Sequence, residues 1–377
     1  MRRVLKRRSW VLFALLVLAL ALSGCAGASA RATSWTGVTI DGDRLYAADL
    51  LQVQVLRADD ADPIWAFPTD TRNDNRGLFY ATPVVTDQYV VVSSQVPATG
   101  FFSQPSNVVW ALDPETGREL WSFRGAGGAY VEGGALSDGV FVVGNSDGSV
   151  YALDVENGSL KWKFETGHRV WSSPVISSGA VYIGSMDRHM YALNLADGRV
   201  IWDFDAGGAF AGRPTLWNGK LYVGAFNDRF YALDAETGDV IWFITGENWF
   251  WGGAAIHNET LYTADVSGTV YALDARTGDE IWRQSLGEQV RAAPAVSEDG
   301  RLVFVGGQKG SLYALDTDDG FVLWVSEAEG QVLSAPVVSG SVVYETIILG
   351  KHRIRALHVE NGREIWVYPP QEEQASE

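Results

Sequence analysis

Cysteine is almost missing from this chain: among 377 residues there is one, Cys25. A lone cysteine excludes an internal disulfide and the paired-cysteine zinc motifs. The five histidines, His168, His189, His257, His352 and His358, contain no His-x-x-x-His pair, the spacing that puts two zinc ligands on one helix face. A Gly-x-x-x-x-Gly-Lys-Ser/Thr phosphate loop and a Gly-x-Ser-x-Gly nucleophile elbow are absent as well. Basic charge is scarce, with 29 Lys and Arg against 46 Asp and Glu and a net charge of -17. Five of the basic residues precede Cys25, so the remainder carries 24 against 46, a net of -22. So acidic a surface repels a phosphate backbone and argues against nucleic acid as a partner. No apolar run reaches the roughly 20 residues of a membrane-spanning helix.

The longest apolar run, Trp10 to Leu22, follows Arg2, Arg3, Lys6, Arg7 and Arg8 and precedes small residues. That order is the layout of a signal peptide over 1–24. It ends Leu22-Ser23-Gly24-Cys25, which resembles the bacterial lipobox, so Cys25 is expected to carry the lipid. Residues 25–34 then read as the lipidated cysteine and a flexible tether. The expected location is extracytoplasmic, anchored by lipid to the cell membrane or the outer membrane.

What the chain has in abundance is tryptophan (15) and glycine (41), and both fall into a repeat. Five copies are nearly verbatim: Tyr151-Ala-Leu-Asp154 to Trp162, Tyr191-Ala-Leu-Asn194 to Trp202, Tyr231-Ala-Leu-Asp234 to Trp242, Tyr271-Ala-Leu-Asp274 to Trp282, and Tyr313-Ala-Leu-Asp316 to Trp324. A sixth runs from Trp110 to Trp121, and degenerate copies run from Gln54 to Trp65 and from Arg355 to Trp366. A period of about 40 residues with turn signals inside each unit predicts four short antiparallel strands per unit. In the fourth unit these are residues 173–176, 180–183, 189–193 and 200–204. The prediction is an all-β chain, an eight-bladed β-propeller over 35–368, with 369–377 a disordered tail.

The recurrent Asp and the Gly four residues on are read as turn chemistry, the carboxylate accepting backbone N–H groups and the glycine taking a left-handed conformation. A metal site is not expected, because the carboxylates stand one per blade around a ring. The tryptophans Trp65, Trp121, Trp162, Trp202, Trp242, Trp282, Trp324 and Trp366 are expected to dock against the neighbouring blade. Aligning Trp35-Thr-Gly-Val38 on Trp171-Ser-Ser-Pro174 starts the chain at the first strand of one blade, and Trp366-Val-Tyr368 is the last strand of another. Closure is therefore expected to rest on side chains, with no strand shared between the termini.

The Ala-Leu-Asp-x-x-x-Gly-x-x-x-Trp signature resembles the PQQ-like propeller repeat family over about residues 35–368. One branch, the quinoprotein dehydrogenases, implies pyrroloquinoline quinone, calcium and a catalytic aspartate. No residue here matches those positions, so no cofactor is expected. The other branch, the BamB-like outer-membrane assembly lipoproteins, shares the length, the lipobox and the eight blades. That branch closes its ring with an N-terminal strand completing the last blade, a point of departure for this chain. The function expected is a non-enzymatic scaffold for protein or ligand partners. The alternatives are a BamB-like part in outer-membrane protein assembly and a quinone-dependent oxidoreductase-like protein. The ectodomain is expected to be monomeric.

Two candidate contact sites follow from the repeat. The position three before the first-strand proline gives Trp35, Tyr80, Val131, Trp171, Ala211, Trp251, Arg291 and Leu333, expected to ring the mouth of the central channel. Trp249, Phe250, Arg169 and Arg213 lie close by, making an aromatic and arginine mouth suited to a peptide or small ligand, or else a plug of side chains. The second candidate is the long loop 97–106, whose Phe101 and Phe102 would meet a partner.

Overall fold

The computed structural model describes residues 37–71, 76–96 and 106–370. The signal segment, Cys25, the tether, Trp35, Phe101, Phe102 and residues 371–377 lie outside these. Among the described residues there is no helix, and the strands form eight antiparallel sheets in chain order. They span Val38–Phe67, Leu78–Ala126, Ala135–Glu165, Val175–Asp205, Thr215–Thr245, Ala255–Ser285, Ala295–Glu327 and Val337–Tyr368, hereafter blades one to eight. Each sheet is built from consecutive strands only. Among the described residues the first and last blades therefore exchange none, in line with the alignment of the chain start.

Blade four shows why the repeat folds this way. Its strands are Val175–Ser177, Ala180–Gly184, His189–Asn194 and Val200–Asp205. The first starts two residues later than the sequence suggests, just past Pro174, which lacks the N–H a ladder needs. Ser178 and Gly179 both take positive φ, the geometry of a two-residue hairpin that matches strand twist. The second strand is buried throughout, whereas the fourth exposes most positions and buries Trp202. A middle strand covered by blades on both faces needs a continuous apolar run, and an outer strand needs one anchor.

Blade two departs from four plain strands. Leu78–Phe79 and Val84–Val85 both pair with Val90–Val96, at its opposite ends, so the first strand is broken into two pieces. The lengthened hairpin of Val90–Val96 and Ser106–Leu112 supplies the extra edge that Leu78 and Phe79 cover.

Every tryptophan of the repeat makes the same joint with the following blade. The indole N–H donates to the carbonyl one residue past the motif's fourth position: Trp65 to Pro114 (2.9 Å), Trp121 to Val155 (2.7 Å), Trp162 to Leu195 (2.8 Å), Trp202 to Ala235 (3.0 Å), Trp242 to Ala275 (3.3 Å), Trp282 to Thr317 (2.8 Å) and Trp324 to Val359 (3.0 Å). Trp366 completes the circle by donating to Ala58 of blade one at 3.0 Å. The outer strand carries a β-bulge beside the tryptophan in all eight blades, as between Ala152 and Leu153 opposite Leu160–Trp162. A bulge raises local twist and re-aims a side chain; here it turns the ring toward the next blade.

The ring lies over the turn held by the recurrent Asp. Asp234 accepts the N–H groups of Glu236 (2.9 Å) and Thr237 (3.0 Å), and Asp274 those of Arg276 (2.8 Å) and Thr277 (3.0 Å). Gly158 shows what the fourth residue on must be: its φ is +71°, and a Cβ there would stand 2.5 Å from the Trp121 ring. Seven blades place glycine at this point, but blade one has Ala61, also at positive φ (62°).

That exception falls at the seam where blade eight meets blade one. Tyr344 and Trp366 both donate to the Ala58 carbonyl, Arg353 pairs with Asp49, and Val38, Leu45, Leu56, Ile354 and Ala356 form one apolar cluster across the joint. Among the described residues the seam is held by side chains and one carbonyl.

Trp202 is 8% exposed, while Trp366 is half-buried. Trp202→Ala is expected to lower the unfolding free energy by about 3–5 kcal/mol, and Trp366→Ala by roughly half as much because less apolar area leaves water there. Urea titration reads both, and equal losses would show that the seam is as strong as an inner joint. Ala61→Gly is expected to stabilise the chain by about 1 kcal/mol, since a left-handed alanine carries a steric cost that glycine avoids; a lower urea midpoint in this variant would overturn that reading.

Candidate channel site

The first strands and the segments leading into them meet around the central axis and enclose a cavity of about 870 Å³. Each blade contributes one stretch to its wall, from Gly37–Ile40 in blade one to Leu333–Ala335 in blade eight. Neighbouring stretches are tied by hydroxyl groups donating across the joints: Thr39 to the Pro83 carbonyl (2.6 Å), Ser172 to Gly212 (2.8 Å) and Thr215 to Ala254 (2.7 Å).

Of the predicted ring, Trp251, Arg291 and Leu333 line this cavity. Tyr80 and Ala211 are buried, and Val131 and Trp171 are half-buried without lining it. Burial also pushes the Tyr80 hydroxyl's pKa up. Trp35 lies outside the described residues. Phe250 is corrected outright, being fully buried. It packs edge-on to Phe230 at 5.4 Å and against Tyr271 at 5.6 Å. It occupies the same place in its blade as Phe79, Tyr130, Val170, Phe210, Val290 and Val332, all buried. That column is core, and aligning the repeat one position earlier identifies it.

The structure does gather an aromatic row at the channel edge. Trp249, 46% exposed, stacks on Phe226 with centroids 5.1 Å apart and planes at 12°. Phe226 meets Trp251 at 4.9 Å, and the Arg291 guanidinium lies over the Trp251 ring at 5.0 Å. Arg213 is exposed and lines the channel. Arg169 is exposed one blade away, its backbone carbonyl accepting from Met186 N–H at 2.9 Å. Phe226 was not singled out by sequence, since it sits in the turn between the second and third strands of blade five.

Glu132 is the functional candidate that sequence reasoning missed. It lines the channel and accepts a hydrogen bond from the Ser173 hydroxyl at 3.2 Å. Desolvation by the channel wall pushes its carboxyl up to about 7, against the opposing pull of the Ser173 hydrogen bond and the Arg213 charge. The signal was available: in the aligned column Ala81, Glu132, Ser172, Gly212, Gly252, Ala292 and Ser334, Glu132 alone is charged.

The donor set does not fit a quinone–calcium site. Calcium needs several converging oxygen ligands. Among the described residues Glu132 is the one carboxylate lining the channel, and no group of three or more His, Cys, Asp or Glu is placed to hold a metal.

These features define an eight-bladed propeller whose tryptophan joints surround a narrow, partly polar channel. The chain belongs to the family described as outer membrane protein assembly factor BamB, whose model matches residues 25–166, 105–209, 162–248 and 266–377. It is similar in fold to BamB from Moraxella catarrhalis, with a TM-score of 0.69 and 17% identity over 83% of this chain and 91% of that one. It is equally similar to the computationally designed Ika8 protein, with a TM-score of 0.71 and 16% identity over 86% and 96% of the two chains. A curated relative, the quinohemoprotein alcohol dehydrogenase of Comamonas testosteroni, is 30% identical over 139 residues. That stretch is 37% of this chain and spans 19% of the relative's length.

A carboxyl whose pKa is raised on folding makes the folded state bind more protons than the unfolded one, so stability falls as pH rises through the raised pKa. Glu132 therefore favours folding below the ordinary carboxylate range and loses that advantage by about pH 7. Glu132→Gln is expected to flatten the decline in melting temperature between pH 5 and pH 8, and an unchanged profile would place this carboxyl in bulk solvent.

Proposed function

We propose that this chain is a non-enzymatic, lipid-anchored, extracytoplasmic scaffold that holds a protein or peptide partner at the mouth of its propeller channel. The observation that carries the reading is the row Trp249, Phe226, Trp251 and Arg291. Three rings and a guanidinium form a continuous apolar and cationic shelf, half open to solvent, on an otherwise acidic molecule. Rigid aromatic rings beside an arginine are the side chains that most often carry binding energy. Membership of the BamB family supports a narrower form, a part in outer-membrane protein assembly, with Cys25 as the lipid attachment point. The match to a quinohemoprotein dehydrogenase favours an oxidoreductase, but the one carboxylate among the described channel-lining residues argues for a scaffold without a cofactor.

Against a panel of extended peptides, Trp251→Ala is expected to weaken binding at least tenfold, with Trp171→Ala, two ring positions from Trp251, having little effect. Unchanged binding on loss of Trp251 would remove the shelf as the site. Cys25→Ser is expected to move the protein from the membrane to the soluble fraction.

A further inference from the structure

The channel wall consists of columns of aligned residues, and two columns each contain one charged exception. Glu132 is the exception in its column. In the next, Gly37, Thr82, Gly133, Ser173, Arg213, Gly253, Ala293 and Ala335, the exception is Arg213. The rest are small because neighbouring blades nearly touch. A Cβ on Gly212 would lie 2.3 Å from the Trp251 carbonyl oxygen, and one on Gly253 would lie 2.5 Å from that of Arg213. Arg291 supplies a third charge, and with these two it completes the charged residues of the described lining.

Among the described residues neither Arg213 nor Arg291 has a carboxylate within ion-pair distance, and the Arg291 Nε is buried without a hydrogen-bond acceptor. A buried N–H left unpaired is destabilising, and a bound acceptor would remove that cost. Glu132 and Arg213 feel one another's charge without forming a bond, so the pair does not neutralise the wall. With Glu132 ionised the described lining carries one net positive charge, and with Glu132 protonated two, inside a chain of net charge -17.

We propose that the channel receives the free C-terminal carboxylate of an extended peptide, with Arg291 and Arg213 as its counter-charges and Trp251 packing against its last side chain. A guanidinium matches a carboxylate in two parallel hydrogen bonds. The cavity, about 870 Å³, suits a ligand larger than a simple anion, and the aromatic row continues from Arg291 out to exposed Trp249. The inference rests on the channel-mouth reading above and gives that site its ligand class. Glu132 adds a pH dependence: below about pH 7 its neutral carboxyl donates to the carboxylate instead of repelling it. Ser173 and Arg213 are the groups that act on it, and no histidine is among the described lining residues. A peptide C-terminus, with a pKa of about 3.5, stays ionised across the range tested.

The test is fluorescence anisotropy on the full-length lipoprotein in detergent, using one hexapeptide with a C-terminal Phe as free acid and as amide. At pH 6 the acid is expected to bind at least tenfold more tightly than the amide. Arg291→Gln and, at its exposed position, Arg213→Gln are each expected to bring the acid down toward the amide's affinity. The preference should shrink between pH 6 and pH 8, and Glu132→Gln should hold it constant. Equal binding of acid and amide overturns the C-terminal assignment while leaving the shelf intact. Full competition by acetate or inorganic phosphate at equal concentration overturns peptide recognition in favour of a simple anion site. Failure of both peptides, with other extended peptides still binding in a Trp251-dependent way, overturns the channel assignment; failure of every peptide overturns the shelf itself.

Discussion

The fold depends on one hydrogen-bonded contact repeated eight times: an indole N–H reaching the backbone carbonyl of the next blade while its ring covers that blade's turn. The contact satisfies a buried polar group and a large apolar surface together. It also makes one demand on each partner. The donor strand must bulge so that the ring leaves its own sheet, and the receiving turn must be tight enough to present a carbonyl under a flat ring. The aspartate and glycine of the repeat meet the second demand, and the bulge in all eight outer strands meets the first. A second tie reinforces the joint in several blades. The motif tyrosine donates to a carboxylate that also caps the linker from the previous blade, as Tyr191 and Gly167 N–H do at Asp187 (2.8 and 2.7 Å) and Tyr271 and Glu247 N–H do at Asp265 (2.8 and 3.0 Å).

The joint was legible in the sequence because its parts are local and recur. Trp202, Asp234 and Gly238 stand at fixed offsets, and a turn, a strand and a ring can be inferred from them without knowing what lies across the gap. The bulge was not legible, since the extra position holds Ile or Leu in seven blades and Lys161 in blade three, side chains that an unbulged strand carries equally well. Phe250 misled because an aromatic residue between Trp249 and Trp251 looks like part of one patch, whereas successive residues point to opposite sides. Phe226 and Glu132 were missed for different reasons. Phe226 reaches the row from another hairpin, a contact only tertiary structure makes. Glu132 was visible as the one acid in a column of small residues, but its importance comes from the wall that desolvates it.

Blade eight solves the same problem with different chemistry. Where five blades have tyrosine, it has Arg355, whose Nε donates to the fully buried Glu345 at 3.0 Å and whose Nη1 donates to the Glu327 carbonyl at 2.9 Å. Burial pushes the Glu345 carboxyl up to about 7 despite the arginine. A buried ion pair adds little net stability over an apolar pair but penalises the loss of either partner. The pair lies within blade eight, and the bond from Arg355 to the Glu327 carbonyl ties that degenerate blade to blade seven.

Because each blade completes its own sheet, the structural unit and the repeat in the chain coincide. Duplicating or deleting one stretch of about forty residues adds or removes a whole blade, with its donor indole at one side and its receiving carbonyl at the other, and leaves no half-formed sheet behind. A ring laced by a strand from the opposite terminus lacks that freedom, since its last blade depends on the first residues of the chain. The propeller of this protein is in that sense a closed chain of links, each complete in itself.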